Sequence, residues 1–88
     1  MINKEFIIKN EIGLHARPAA LFVQTTNKFL SDIMIKKADK TINAKSIMGV
    51  MAIGIAKGET IEIIIDGADE ENAIQAIDEL INIKLLEL

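Results

Sequence analysis

The spacing between apolar and polar residues changes several times along the chain, and each change predicts an element. Residues Lys4 to Lys9 alternate, with Phe6 and Ile8 on one side and Glu5 and Lys9 on the other; Ile7 interrupts an otherwise period-two strand. After Asn10-Glu11-Ile12-Gly13 the spacing becomes helical. Ala19, Phe22, Val23 and Thr26 share a face of a helix predicted from Ala16 to about Lys28, with Pro18 in the first turn, where its missing N–H costs nothing. Asp32 to Lys37 and Lys40 to Asn43 are short strands rich in Ile and Met, and Ala38-Asp39 between them predicts a tight hairpin. Ser46 is a hydroxyl N-cap for a short helix through Ile47-Met48-Gly49-Val50-Met51-Ala52. Beyond Gly58, Thr60 to Ile65 reads as a strand with Ile61, Ile63 and Ile65 on one face and Glu62 on the other. Asp69 then caps a helix whose Ile74, Ile77, Leu80, Ile81 and Lys84 form one stripe, with Glu70 and Glu71 at its positive end.

The order β-α-β-β-α-β-α predicts a two-layer α+β architecture, a mostly antiparallel four-stranded sheet with helices on one face and solvent on the other. The apolar ending Leu85-Leu86-Glu87-Leu88 is read as a packed helix end in preference to a weak self-association patch.

Composition narrows the picture. Eighty-eight residues allow one domain, 1–88, with one core. With no cysteine, neither a disulfide framework nor a thiolate metal site is available, so packing must supply the stability, much of it from isoleucine. Charges at Lys4, Glu5 and Lys9 are unlike a signal peptide, and no apolar run approaches membrane-spanning length, so the expected location is cytoplasmic, without membrane insertion. A net charge of −3 with 3% aromatic residues disfavours nucleic acid and points to protein partners. A monomer is the default.

Candidate chemistry concentrates in Gly13-Leu14-His15-Ala16-Arg17-Pro18-Ala19-Ala20. The only histidine falls at the predicted N-cap, ahead of backbone N–H groups without intrahelical partners. Arg17 is out of place, since a cation in the first turn opposes the helix dipole at a cost of about 0.3–1 kcal/mol. A phosphoryl group on His15 would offset that cost, held by the free N–H groups and the guanidinium. Imidazole suits the task because, with an ordinary pKa of about 6.5, it is largely neutral and nucleophilic near pH 7. From spacing alone, however, a lone histidine beside an arginine is more often a surface cap than a nucleophile, and Ser46 is more often a plain N-cap than a modified residue. Met48 and Met51 lie on a different side of their short helix from Val50, so both faces cannot be buried; an exposed methionine pair would make an adaptable docking surface.

The residue pattern separates these readings. Gly13 to Ala19 resembles the active-site signature of HPr, the phosphocarrier of the bacterial sugar phosphotransferase system. Lys45-Ser46-Ile47-Met48-Gly49-Val50-Met51, followed by Gly54 and Ala56-Lys57-Gly58, resembles the second HPr signature in its Gram-positive form, and Gly67-Ala68-Asp69 also agrees. The resemblance covers nearly the whole chain. It implies an open-faced β-sandwich with sheet order 1-4-2-3 and three helices on one face. It further implies a carrier that is not an independent enzyme and needs no cofactor or metal, phosphorylated at Nδ1 of His15 by Enzyme I and discharged to the IIA domains of sugar permeases. By the same resemblance Arg17 and the amides of Ala16 and Arg17 hold the phosphate, while Ala20, Gln24, Ile47, Met48 and Met51 dock partners. Ser46 is implied as the target of HPr kinase/phosphorylase, and its phosphorylated form as the ligand of a catabolite-control transcription regulator. Two departures stand out: Ile12 replaces the small polar residue of many relatives, removing a side-chain hydrogen bond near the phosphate loop, and Ala38-Asp39 lacks the usual glycine. The remaining alternatives are a regulatory HPr-like protein acting mainly through Ser46, against which His15 argues, and an unrelated α+β interaction module in which His15 is a cap.

Overall fold

The strand expected from the alternating isoleucines lies at the centre of the molecule. In the computed structural model, which describes residues 1–88, the elements are β1 (Ile2–Ile7), α1 (Arg17–Thr26), β2 (Asp32–Lys37), β3 (Lys40–Asn43), α2 (Ile47–Ile53), β4 (Thr60–Asp66), α3 (Glu70–Asn82) and a closing 3-10 turn, Lys84–Glu87. The sheet order is β1-β4-β2-β3, antiparallel throughout. Ile61, Ile63 and Ile65 point inward, paired across the sheet with Phe6 on β1 and with Ile35 and Ile33 on β2. Because side chains alternate along a strand, this register sends Glu5, Glu62 and Lys36 to the outer face together.

α1 and α3 cover the inner face with Ala19 and Phe22 from the first and Ile74, Ile77, Leu80 and Ile81 from the second, all buried. Val23, expected in the core, is only partly buried at its margin. Lys4 closes the β1 edge against α3, its Nζ 2.6 Å from Asp78.

Several predicted boundaries shift. β1 pairs from Ile2 to Ile7 and not from Lys4 to Lys9, yet its alternation continues past the ladder: Ile8 is buried and Ile7 is exposed, so Ile7 does not spoil the pattern. The hairpin forms as predicted, with Ala38 at φ 55 taking the left-handed turn position that glycine fills without strain. α3 stops at Asn82, and Lys84 is exposed in the 3-10 turn that follows, outside the buried stripe. In the terminal segment Leu85 is buried but Leu86 and Leu88 are exposed.

Asp69 occupies the N-cap position of α3 without capping it. Its carboxylate instead accepts hydrogen bonds from the amides of Leu30 and Ser31 and from the Ser31 hydroxyl, tying the α1–β2 connection to the start of α3. Glu70 takes over at the helix start by accepting from the Gly67 amide. The Ser31 hydroxyl, then the Leu30 amide, hold the Asp69 carboxyl below its ordinary value; the Gly67 amide and the N-terminal ammonium do the same for Glu70, and Lys4 and Asn82 for Asp78.

A carboxyl depressed in the folded state binds fewer protons than in the unfolded chain, so its contribution is present above the unfolded pKa, about 4, and is lost as pH falls through the folded value. The urea midpoint should therefore be level from pH 7 to about pH 5 and decline below it. Asp69→Asn should flatten that decline while lowering the neutral-pH midpoint; an unchanged acid limb in this variant would show that the Ser31 tie carries no pH-dependent stability.

Candidate functional site

The turn Asn10–Gly13 leads the chain from β1 toward His15. Gly13 donates to the Asn10 carbonyl at 3.1 Å, closing the turn, and the Asn10 side-chain amide donates back to the Gly13 carbonyl at 2.8 Å. Gly13 then adopts φ 64, and a Cβ placed there would lie 2.2 Å from the Ile55 carbonyl oxygen. That same oxygen accepts the Leu14 amide at 3.0 Å, and the Leu14 side chain is buried. The loop is thus pinned immediately before His15.

Asn10 is itself buried, and its Oδ1 finds no donor in the chain. One hydrogen bond contributes about 0.5–1.5 kcal/mol, whereas a buried acceptor left without a partner costs about 1–3 kcal/mol. Removing the side chain would move that cost to the buried Gly13 carbonyl, whose one donor it supplies.

The sequence places His15 at the N-cap; the structure places it one residue earlier. Ala16 is the N-cap and α1 begins at Arg17, with Pro18 in the first turn. Ala16 adopts φ 53 and ψ −123, a conformation that opposes a Cβ and costs about 1–3 kcal/mol. This reversal carries the chain from the buried Leu14 into the helix and leaves His15 and Arg17 exposed. The amides of His15, Ala16, Arg17 and Ala19 donate to no acceptor within the chain; the first amide of this stretch to do so is Ala20, to the Ala16 carbonyl. Arg17 takes part in none of the ion pairs. With Pro18, Ile12, Leu86 and Leu88 it lines an open cleft of about 440 Å³. No three histidine, aspartate or glutamate side chains converge in a way that would hold a metal ion.

The second motif forms α2. Ser46 caps it as predicted, its Oγ accepting from the Gly49 amide at 3.1 Å, and Gly54 ends it in the left-handed conformation. Val50 and Ile53 are buried while Ile47, Met48 and Met51 are exposed, Met48 by 79%. Ala20 and Gln24 are exposed on α1.

α1 and α2 run in opposite senses. The end of α1 is tied to the segment before α2 through Thr26 Oγ to the Ala44 carbonyl and Asn27 to the Lys45 carbonyl. The segment before α1 is tied to the one after α2 through Leu14 and Ile55. His15 therefore lies toward the C-terminal end of α2, and Ser46 at the opposite end, roughly 10 Å away along the axis of a two-turn helix.

The residues after α2 are braced as well. Lys37 Nζ donates to the Gly54 carbonyl at 2.7 Å and pairs with Glu59, whose carboxylate accepts the Ala56 amide at 2.7 Å. That amide bond, then Lys37, holds the Glu59 carboxyl below its usual range. Asn10 was legible only as part of an Asn-x-x-Gly turn, and no sequence signal marked Ile55, Lys37 or Glu59 as supports of the loop.

A protein family described as the PTS HPr component phosphorylation site matches residues 2–82. The HPr-like protein Crh of Halalkalibacterium halodurans is 51% identical over 77 residues, covering 88% of this chain and 92% of the relative. A crystal structure of HPr from Thermoanaerobacter tengcongensis superposes with a TM-score of 0.95 at 48% identity, covering 100% of this chain and 98% of the other. Crh of Bacillus subtilis, whose crystal structure is a domain-swapped dimer, gives 0.74 at 39% identity with 93% and 94% coverage.

Gly13→Ala should lower the unfolding free energy by at least about 1–3 kcal/mol, because a side chain at this φ would also meet the Ile55 carbonyl. A urea titration of the variant within experimental error of wild type would show that the loop yields freely. Ser46→Ala should cost about 0.5–2 kcal/mol by the same measurement, through loss of the α2 cap.

Proposed function

Because the chain belongs to the HPr family of phosphotransferase-system components, we propose that it is a phosphocarrier that accepts a phosphoryl group from phospho-Enzyme I on Nδ1 of His15 and passes it to IIA domains of sugar permeases. The observation that carries this reading is the exposed imidazole set directly before unengaged amides and an unpaired guanidinium. In the transfer the Nδ1 lone pair attacks phosphorus, an N–P bond forms, and the bond from phosphorus to the donor breaks with its electron pair retained by the donor. Running the same displacement toward the next acceptor discharges the carrier.

The amides of Ala16 and Arg17, with the Arg17 side chain, receive the phosphoryl oxygens. They have no acceptor within the chain to give up first. The first-turn arginine that opposes the dipole of an empty helix end becomes favourable once two negative charges lie between it and the amides. Ile12 contributes no polar atom to this arrangement. Exposed Ala20, Gln24, Ile47, Met48 and Met51 form the surface on which Enzyme I and IIA domains dock in turn, the methionines adapting to each. The protein works as a monomer in the cytoplasm.

A second, regulatory role at Ser46 is supported by the 51% identity to an HPr-like protein, and the presence of His15 argues against regulation as the sole role. Phosphorylation of Ser46 by HPr kinase/phosphorylase would place about −1.5 to −2 charges at the start of α2, where the helix dipole tolerates them. The added charge would weaken Enzyme I docking and create a ligand for a catabolite-control transcription regulator.

With Enzyme I and phosphoenolpyruvate the protein should gain one acid-labile phosphoryl group, seen by mass and phosphorus NMR, and His15→Ala should gain none; label surviving that substitution would remove the assignment. Arg17→Ala should slow uptake by about 10-fold or more, the loss of one charge-assisted contact, without shifting the urea midpoint downward. Phosphorylation of Ser46 should slow uptake through a raised KM for Enzyme I, and unchanged kinetics would eliminate the regulatory role.

A further inference from the structure

Asn10 stands under the loop that presents His15, 6% exposed, with its side-chain amide on the Gly13 carbonyl. Three hydrogen bonds fix Gly13 and Leu14: Gly13 N–H to the Asn10 carbonyl, Leu14 N–H to the Ile55 carbonyl, and Asn10 Nδ2 to the Gly13 carbonyl. The first two are main-chain bonds and depend on residue identity only through the missing Cβ of Gly13. The third is the one made by a side chain, so it is the point at which a functional group controls the loop.

We propose that Asn10 is a positioning residue for phosphoryl transfer at His15, an inference that rests on the phosphocarrier reading above. Nδ2 orients the Gly13 carbonyl and with it the Gly13–Leu14 peptide plane. The two peptide planes after it lead directly to the strained Ala16 and carry the amides of His15 and Ala16. Rotation of the first plane would be passed to the amides that receive the phosphoryl oxygens. The exposed side chain of Ile12 offers no polar atom that could set this geometry.

The state of Oδ1 supports the same conclusion. An alanine at position 10 would remove Oδ1 but leave the buried Gly13 carbonyl without its donor, and an aspartate would keep the shape while turning lone pairs toward that carbonyl. Asparagine is the residue that supplies a donor in that shape, and its unpartnered oxygen is what the donor entails. That donor holds the Gly13 carbonyl, and with it the loop, in place.

Asn10→Ala and Asn10→Asp test the proposal, with Ile77→Val as a control that destabilises the buried face of α3 away from the loop. Uptake from phospho-Enzyme I is measured at a temperature where urea titration shows every variant folded, and residual dipolar couplings report the peptide planes of residues 13–17. Both Asn10 variants should lose kcat by about 10-fold with KM for Enzyme I held within about twofold, since an acceptor misplaced by a fraction of an ångström affects the transfer step more than docking. Their couplings at His15, Ala16 and Arg17 should shrink or change orientation, while Ile77→Val retains wild-type kcat and couplings. Wild-type kcat in either Asn10 variant, a change confined to KM, or unaltered couplings would overturn the positioning role. Failure of the wild-type protein itself to take up phosphoryl groups would instead remove the reading of His15, and this inference with it.

Discussion

The Ile55 carbonyl oxygen is the contact on which the arrangement of the molecule's exposed end depends. It accepts the Leu14 amide, and its place is available only because Gly13 has no Cβ to collide with it. On one side of this contact the chain continues into His15 and α1; on the other it comes from α2 through Gly54. This main-chain bond, with the Thr26 and Asn27 ties at the opposite end, sets the two helices beside each other. The support below is polar as well as apolar: Leu14 fills the core, and Lys37 and Glu59 brace the segment that carries Ile55 from the end of β2. Polar clamps of this kind orient more than they stabilise, because exposed ion pairs contribute little free energy on their own.

Strain at Ala16 belongs to the same construction. A non-glycine residue at φ 53 persists only where its surroundings over-determine it. Here the constraints are the buried Leu14 before it and the buried Pro18 and Ala19 after it. At this turn the amides of His15, Ala16 and Arg17 have no partner in the chain, and His15 is kept off the helix proper. An exposed site with unpartnered amides thus stands on a buried base.

The antiparallel packing of α1 and α2 separates the two motif residues. They stand about 10 Å apart along the axis of a two-turn helix, further than the Debye length of about 8 Å at physiological ionic strength, so charges placed at the two positions would be largely screened from each other. Between them lies a surface on which Met48 and Met51 are exposed.

Periodicity and motif were enough to establish the order of elements, the hairpin at Ala38-Asp39, the Ser46 cap, the inward isoleucines of β4 and the segment that carries His15. These features depend on interactions within a few residues or on the two faces of one element, and such information is local. The tertiary structure alone decided that α1 begins at Arg17, because the Ala16 conformation is imposed by Leu14 burying against a distant segment. It decided that Asp69 serves Leu30 and Ser31 in place of its own helix, because those donors reach it only after the sheet has closed. Asn10 and Ile55 also became visible only in three dimensions: a turn asparagine and a loop isoleucine acquire their roles from what is folded against them, and neither pattern nor propensity records that neighbour.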